Sequence, residues 1–148
     1  MNKKNDSFIN SRKMPDIPKG WTIVEHIKIK SFFWNRKSAV LCREKEQEKG
    51  LYVSHKVIVR RLKRRKKILL NATVLDFLMN HKNRIPQSWE GKIIDFPGTV
   101  YRDNNGNLMT AYLVRYHMRG RHGHWRREFS CKKLVLHGSH DYTAILAE

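Results

Sequence analysis

Two cysteines in 148 residues are too few for a disulfide scaffold and point to a reducing compartment. No apolar run exceeds four residues, as in Ala39 to Cys42 and Ala144 to Ala147. Within these residues that excludes a membrane-spanning helix and a secretory h-region. There is no Cys-x-x-Cys, no His-x-x-x-His, no glycine-rich phosphate loop and no Gly-x-Ser-x-Gly elbow. The standard zinc, nucleotide and hydrolase motifs are therefore missing, and the chain does not read as an enzyme. Acid is scarce: 13 Asp and Glu stand against 31 Lys and Arg, a net charge of +18. Hydrophobic residues at 40% and aromatics at 10% are still too many for a wholly disordered chain. What remains is a small, folded, very basic protein.

The charge is concentrated. Lys56, Arg60, Arg61, Lys63, Arg64, Arg65, Lys66 and Lys67 form an acid-free run. Arg115, Arg119, Arg121, Arg126, Arg127, Lys132 and Lys133 stand against Glu128 alone. These two segments carry +14 of the +18 and flank a neutral stretch. Self-repulsion at that density opposes folding, so a polyanionic partner is the economical explanation. Nucleic acid is the leading expectation, RNA or a ribonucleoprotein ahead of duplex DNA, bound without catalysis and without a cofactor. The same charge also fits an interaction or inhibitor protein whose basic face docks on an acidic partner protein. The expected location is cytoplasmic. Lys63 to Lys67 also has the composition of a nuclear import signal, which matters only for a eukaryotic or viral source.

Periodicity predicts an α+β fold of mostly antiparallel strands. Residues 1–20, with Pro15 and Pro18, read as a flexible basic arm before one compact domain over 21–148, with sub-units at 21–90 and 91–148 as an alternative division. Trp21 to Lys30 alternates as a strand, Phe32 to Arg43 reads as a second, and Glu44 to Gly50 as a charged turn. Leu51 to Leu62 fits either period; the β-branched Val57-Ile58-Val59 favours a strand, with Lys63 to Lys67 as a basic hairpin tip. Asn71 predicts an N-cap for one principal helix near residues 72–81, stopped before Pro86. From Gly91 short strands resume as a meander or small barrel: Lys92 to Phe96, Thr99 to Arg102, Leu108 to Tyr116, Trp125 to Ser130 and Lys132 to Leu136. Asp103 to Asn107 is a hairpin turn, Met118 to Gly123 a loop, and Tyr142 to Ala147 a short closing helix.

Asn71 to Phe77, then Ile85-Pro86-Gln87-Ser88-Trp89-Glu90-Gly91-Lys92, then Phe96 to Asp103 together resemble a segment of uncharacterised small bacterial proteins. Those share the order of helix, Ile-Pro-x-x-Trp-x-Gly-Lys, strand and hairpin. The resemblance covers about a quarter of the chain and implies a structural unit, with no activity and no functional residue.

Three further chemistries are weighed. Trp34 with Arg36, and Tyr112, Arg115, Tyr116, Trp125, Arg126 and Arg127, interleave rings with guanidinium groups, as a stacking platform for bases would; the alternative is that the rings are core. His117, His122, His124, Cys131, His137 and His140 fall within 24 residues, which makes His122, His124 and Cys131 weak metal candidates at no standard spacing. His122 or His124 beside Arg121 or Lys132 also mimics a ribonuclease acid–base pair, while Asp95, Asp103 and Glu128 form no paired carboxylate motif. Leu75 and Trp89 are assigned to the core.

Overall fold

The computed structural model describes residues 7–118, 121–133 and 135–148, with backbone only for 116–118, 121 and 122. The architecture is α+β. Its strands are β1 (Phe8–Ile9), β2 (Thr22–His26), β3 (Phe32–Phe33), β4 (Ala39–Cys42), β5 (Val53–Ser54), β6 (Ile93–Arg102), β7 (Leu108–Met118), β8 (Arg121–Cys131), β9 (Leu136–His137) and β10 (Asp141–Leu146). Its helices are α1 (Lys45–Glu48), α2 (His55–Arg64) and α3 (Ala72–Asn80). No described helix is long and apolar enough to cross a membrane.

The main sheet runs in the order β4, β10, β6, β7, β8, with β2 also on β6. All its pairs are antiparallel except β10 with β6. Among the described residues β4 and β8 do not pair, so these strands form no closed barrel; β6, β7 and β8 follow one another as an antiparallel meander. β6 and β7 are joined by the turn the sequence signals. The Asp103 carboxylate accepts from the backbone N–H groups of Asn105 at 2.9 Å and Asn107 at 2.8 Å, and Gly106 takes φ of +82°. Midway along β6 the register shifts between Phe96 and Tyr101. There Gly98 donates its N–H to the Leu70 carbonyl at 2.9 Å, and a Cβ at Gly98 would lie 2.7 Å from the carbonyl oxygens of Leu69 and Leu70. The strand bends onto the chain entering α3 at the one residue without a side chain to obstruct it.

α3 matches the helix expected near 72–81. The Asn71 side chain accepts from the Val74 N–H at 3.2 Å. Val74, Leu75 and Leu78 then bury one face against Phe96, Tyr101, Leu113 and Trp125 of the sheet. Trp34 and Trp89 close this core edge to face, their centroids 6.1 Å apart.

α2 replaces the strand expected at Leu51 to Leu62, and Lys63 to Lys67 is its C-terminal end in place of a hairpin tip. Ser54 caps it by accepting from Val57 N–H, and His55, Ile58, Val59 and Leu62 fall on one buried face. Leu62, 1% exposed, packs with Ile58, Leu69 and Ile145. Burial of such a side chain contributes about 1.5–3 kcal/mol, more than the few tenths by which β-branched residues disfavour a helix. Lys66 ends the helix in the left-handed region at φ of +59°, with Lys67 N–H donating to the Leu62 carbonyl and Lys66 N–H to that of Lys63. Basic residues fill the last turn, where the helix dipole favours them.

Five other expectations are corrected. Tyr142 to Ala147 is no helix: β10 is a strand held between β4 and β6, and a strand buried on both faces reads as an unbroken apolar run. Phe32 to Arg43 is two strands parted by a turn, in which Ser38 N–H donates to the Asn35 carbonyl. Glu44 to Gly50 contains α1, whose capping box joins Glu44 and Gln47. The strand expected over Lys132 to Leu136 is not found there: Lys132 and Lys133 lie in a turn, and β9 shares only Leu136 with it. Of the segment expected as an arm, residues 7–20 lie along the body: β1 pairs with β3, Ile9 is 2% exposed, and the Lys13 carbonyl accepts from Thr73 Oγ1.

Candidate functional site

The helical register of α2 sorts its residues by face. The apolar positions point inward, leaving Lys56, Arg60, Lys63 and Arg64 exposed. Opposite the start of α2, the turn after β8 is pinned by the Lys132 N–H donating to the Leu108 carbonyl at 2.8 Å. Pairing of β5 with β9 (Ser54 with Leu136), and a bond from His55 N–H to the Val135 carbonyl, hold the two segments side by side. The result is a groove of about 260 Å³ lined by Lys56, Val59, Arg60, Lys63 and Lys132. It adjoins a recess of about 450 Å³ lined by Ser54, Lys56, Leu108, Lys132, Lys133, Val135 and Leu136. No described acid lines either one. Residues from both basic segments, 69 or more positions apart in the chain, thus share one concave surface.

The remaining predicted cations divide by partner. Arg61 binds Glu46 at 2.5 Å and Glu44 at 3.4 Å, and Arg65 binds Glu44 at 2.9 Å. The Arg61 hydrogen bond holds the Glu46 carboxyl below its ordinary range, so that pair is fully charged at neutral pH. Lys63 pairs with Glu25 at 3.1 Å and Lys67 with Glu148 at 2.9 Å, both at the surface where solvent screens them. Arg115 is committed to Glu90 and to the Gly123 carbonyl, each at 2.6 Å. Arg127 is committed to Asp76, whose carboxyl is pushed up by burial despite that contact. Among the described residues no acid pairs with Lys56, Arg60, Arg64, Lys66, Arg126, Lys132 or Lys133. Arg126 is exposed but lies six residues up β8 from Lys132, about 20 Å along a strand. Arg119 lies outside the described residues, as does the side chain of Arg121.

Among the described residues the rings form no stacking platform. Trp125 is 8% exposed with Arg115 over its ring at 5.8 Å, and Trp34 is 4% exposed with its Nε1–H donating to the Arg84 carbonyl. Phe129 packs on Trp21 at 4.8 Å and on Tyr101 at 5.5 Å, while Tyr112 donates its hydroxyl hydrogen to Glu128 at 2.6 Å. The Tyr116 side chain lies outside the described residues.

The metal candidates also regroup. His124 is exposed on β8, Cys131 is half-buried at its end, and neither joins a cluster among the described residues; the His122 side chain lies outside them. The described residues instead bring together His55, Asp95 and His137, all buried, with their donor atoms within 4.8 Å of one another. His55 begins α2, Asp95 lies on β6 and His137 ends β9. Sequence reasoning had no spacing to find them by. The available signal was a charged or polar residue set in an apolar run, as in Ile93-Ile94-Asp95-Phe96. These three residues could hold a metal ion.

Comparison of the chain with protein-family models, with curated proteins and with solved structures finds no match in any of the three.

Proposed function

We propose that this protein binds nucleic acid, without catalysis, through phosphate contacts in the groove between α2 and the turn after β8. The observation that carries the reading is the acid-free lining, in which Lys56, Arg60 and Lys63 face Lys132 from the other basic segment. A concave surface of one charge focuses the field of its side chains and concentrates a polyanion there. The Lys63–Glu25 pair is exposed enough for a phosphate to displace it. The expectation of RNA ahead of duplex DNA rested on an architecture of sheets and loops with no recognition helix for the major groove, and the basic helix α2 weakens that ground. The proposal is accordingly for the phosphate backbone, with the nucleic-acid form read out by experiment.

The test is binding of the purified chain to short single-stranded RNA, duplex RNA and duplex DNA at 50 and 200 mM salt. Submicromolar binding of at least one form is expected. If the five cations Lys56, Arg60, Lys63, Lys132 and Lys133 each engage a phosphate, affinity for duplex DNA falls about 500-fold over that salt range, and for a single strand about 130-fold. Weak, equal binding of all three would overturn the proposal and make the groove a docking face for an acidic protein.

A further inference from the structure

Packing alone does not account for the His55, Asp95 and His137 cluster. His55 Nδ1 lies 3.1 Å from Asp95 Oδ2 and 3.2 Å from His137 Nε2. One ring nitrogen therefore faces both a carboxylate oxygen and a second ring nitrogen, and with at most one proton it cannot donate to both. Neither oxygen of Asp95 has a hydrogen-bond partner, although its side chain is only 4% exposed. The approach from His55 is close enough for an ion pair but not aligned for a hydrogen bond. A buried carboxylate without hydrogen bonds is among the most unfavourable groups a core can hold, unless a cation compensates it.

We propose that His55 Nδ1, His137 Nε2 and an Asp95 carboxylate oxygen together bind one divalent transition-metal ion of the zinc class. Two imidazoles and a carboxylate are a standard nitrogen–oxygen ligand set for such ions. Ligands about 2.0–2.2 Å from a metal stand about 3.0–3.5 Å from one another; both separations from His55 Nδ1 fall in that interval, and all three donor atoms lie within 4.8 Å of one another. The second nitrogen of His137 is 4.0 Å from Asp141 Oδ1, while Asp141 Oδ2 accepts from the Gly138 N–H at 2.7 Å. Asp141 is thus a carboxylate fixed behind that histidine, near enough to attract its ring charge but too far to hydrogen-bond it. A cavity of about 180 Å³ lined by Asp95, Tyr112, Ser130 and His137 adjoins the cluster, with room for water to complete the coordination. The ion would tie the start of α2, one wall of the basic groove, to β6 and β9.

The experiment uses the full, untagged chain, loaded with Zn²⁺ or Co²⁺ and dialysed free of excess. One ion per chain is expected, with Co²⁺ giving the visible absorption of a four-coordinate nitrogen–oxygen site. Asp95→Asn and His137→Gln should each abolish stoichiometric uptake, and His124→Ala and Cys131→Ser should leave it intact. Should either cluster variant fail to fold, the unsubstituted chain still decides. At a hundredfold excess over Kd, Zn²⁺ should raise its Tm by about 5–10 °C relative to chelator. No bound ion and no Tm shift would overturn the proposal, and so would uptake that survives Asp95→Asn but is lost in His124→Ala. These readouts need no nucleic acid, so they succeed or fail independently of the groove.

Discussion

Neutralising Lys56, Arg60 and Lys132 together, each to Gln, is expected to weaken nucleic-acid binding about 500-fold at 0.1 M salt. Each phosphate contact on a duplex contributes about 0.9 to the slope of log affinity against log salt, which at 0.1 M is about eightfold in affinity. Three lost contacts multiply to the larger figure. The substitutions leave the fold alone, because no described acid pairs with these three side chains and all three line the open groove. Arg65 is a poorer choice despite its place in the basic run. It pairs with Glu44, a carboxylate only 7% exposed, so reversing its charge would disturb the capping box of α1 as well as any contact to phosphate. Arg126→Gln provides the contrast. At about 20 Å from the groove it should change affinity less than twofold, against eightfold for Lys132→Gln alone. Titration of a labelled oligonucleotide distinguishes these outcomes. Equal losses for Arg126 and Lys132 would mean that net charge, and not the groove, governs binding.

Trp89→Ala is expected to destabilise the protein by about 3–5 kcal/mol, a large part of the stability of a domain this size. Trp89 is 4% exposed, edge-on to Trp34 at 6.1 Å and tilted against Phe96 at 6.5 Å. It sits in a 3-10 turn, Gln87–Trp89, that bridges α3 to β6, so its ring fills the end of the main core. Truncation leaves a cavity between two large aromatics that the turn cannot collapse to fill. Urea unfolding followed by Trp fluorescence or circular dichroism measures the loss. A change below 1 kcal/mol would place the ring outside the core. The same variant separates packing from binding: its folded fraction should hold nucleic acid with unchanged affinity.

Local signals carried much of the fold. Asn71 announced α3 because an N-cap needs only its own side chain and the N–H three residues on. Asp103 to Asn107 announced the hairpin because its hydrogen bonds close within five residues. Where partners lie far along the chain, the sequence was silent or misleading. The Val57-Ile58-Val59 run suggests a strand until Leu69 and Ile145 arrive to cover a helical face. Ala144 to Ala147 suits a helix until β4 and β6 flank it. The cations were legible as residues but not as a surface. Only the fold assigns Arg115 to Glu90 and Arg127 to Asp76, and brings Lys132 across from Lys56. The histidine cluster was the least legible, since its members are 40 and 42 residues apart and lie on three separate elements.

The place where nucleic acid lies on the protein is the most direct test of the groove. Amide chemical-shift mapping of the ¹⁵N-labelled chain against the oligonucleotide form it binds best locates that surface. The largest changes are predicted in the first two turns of α2 and across residues 131–136, with little change near His124 and Arg126 on β8. Changes centred on His124 and Arg126, with α2 unmoved, would contradict it.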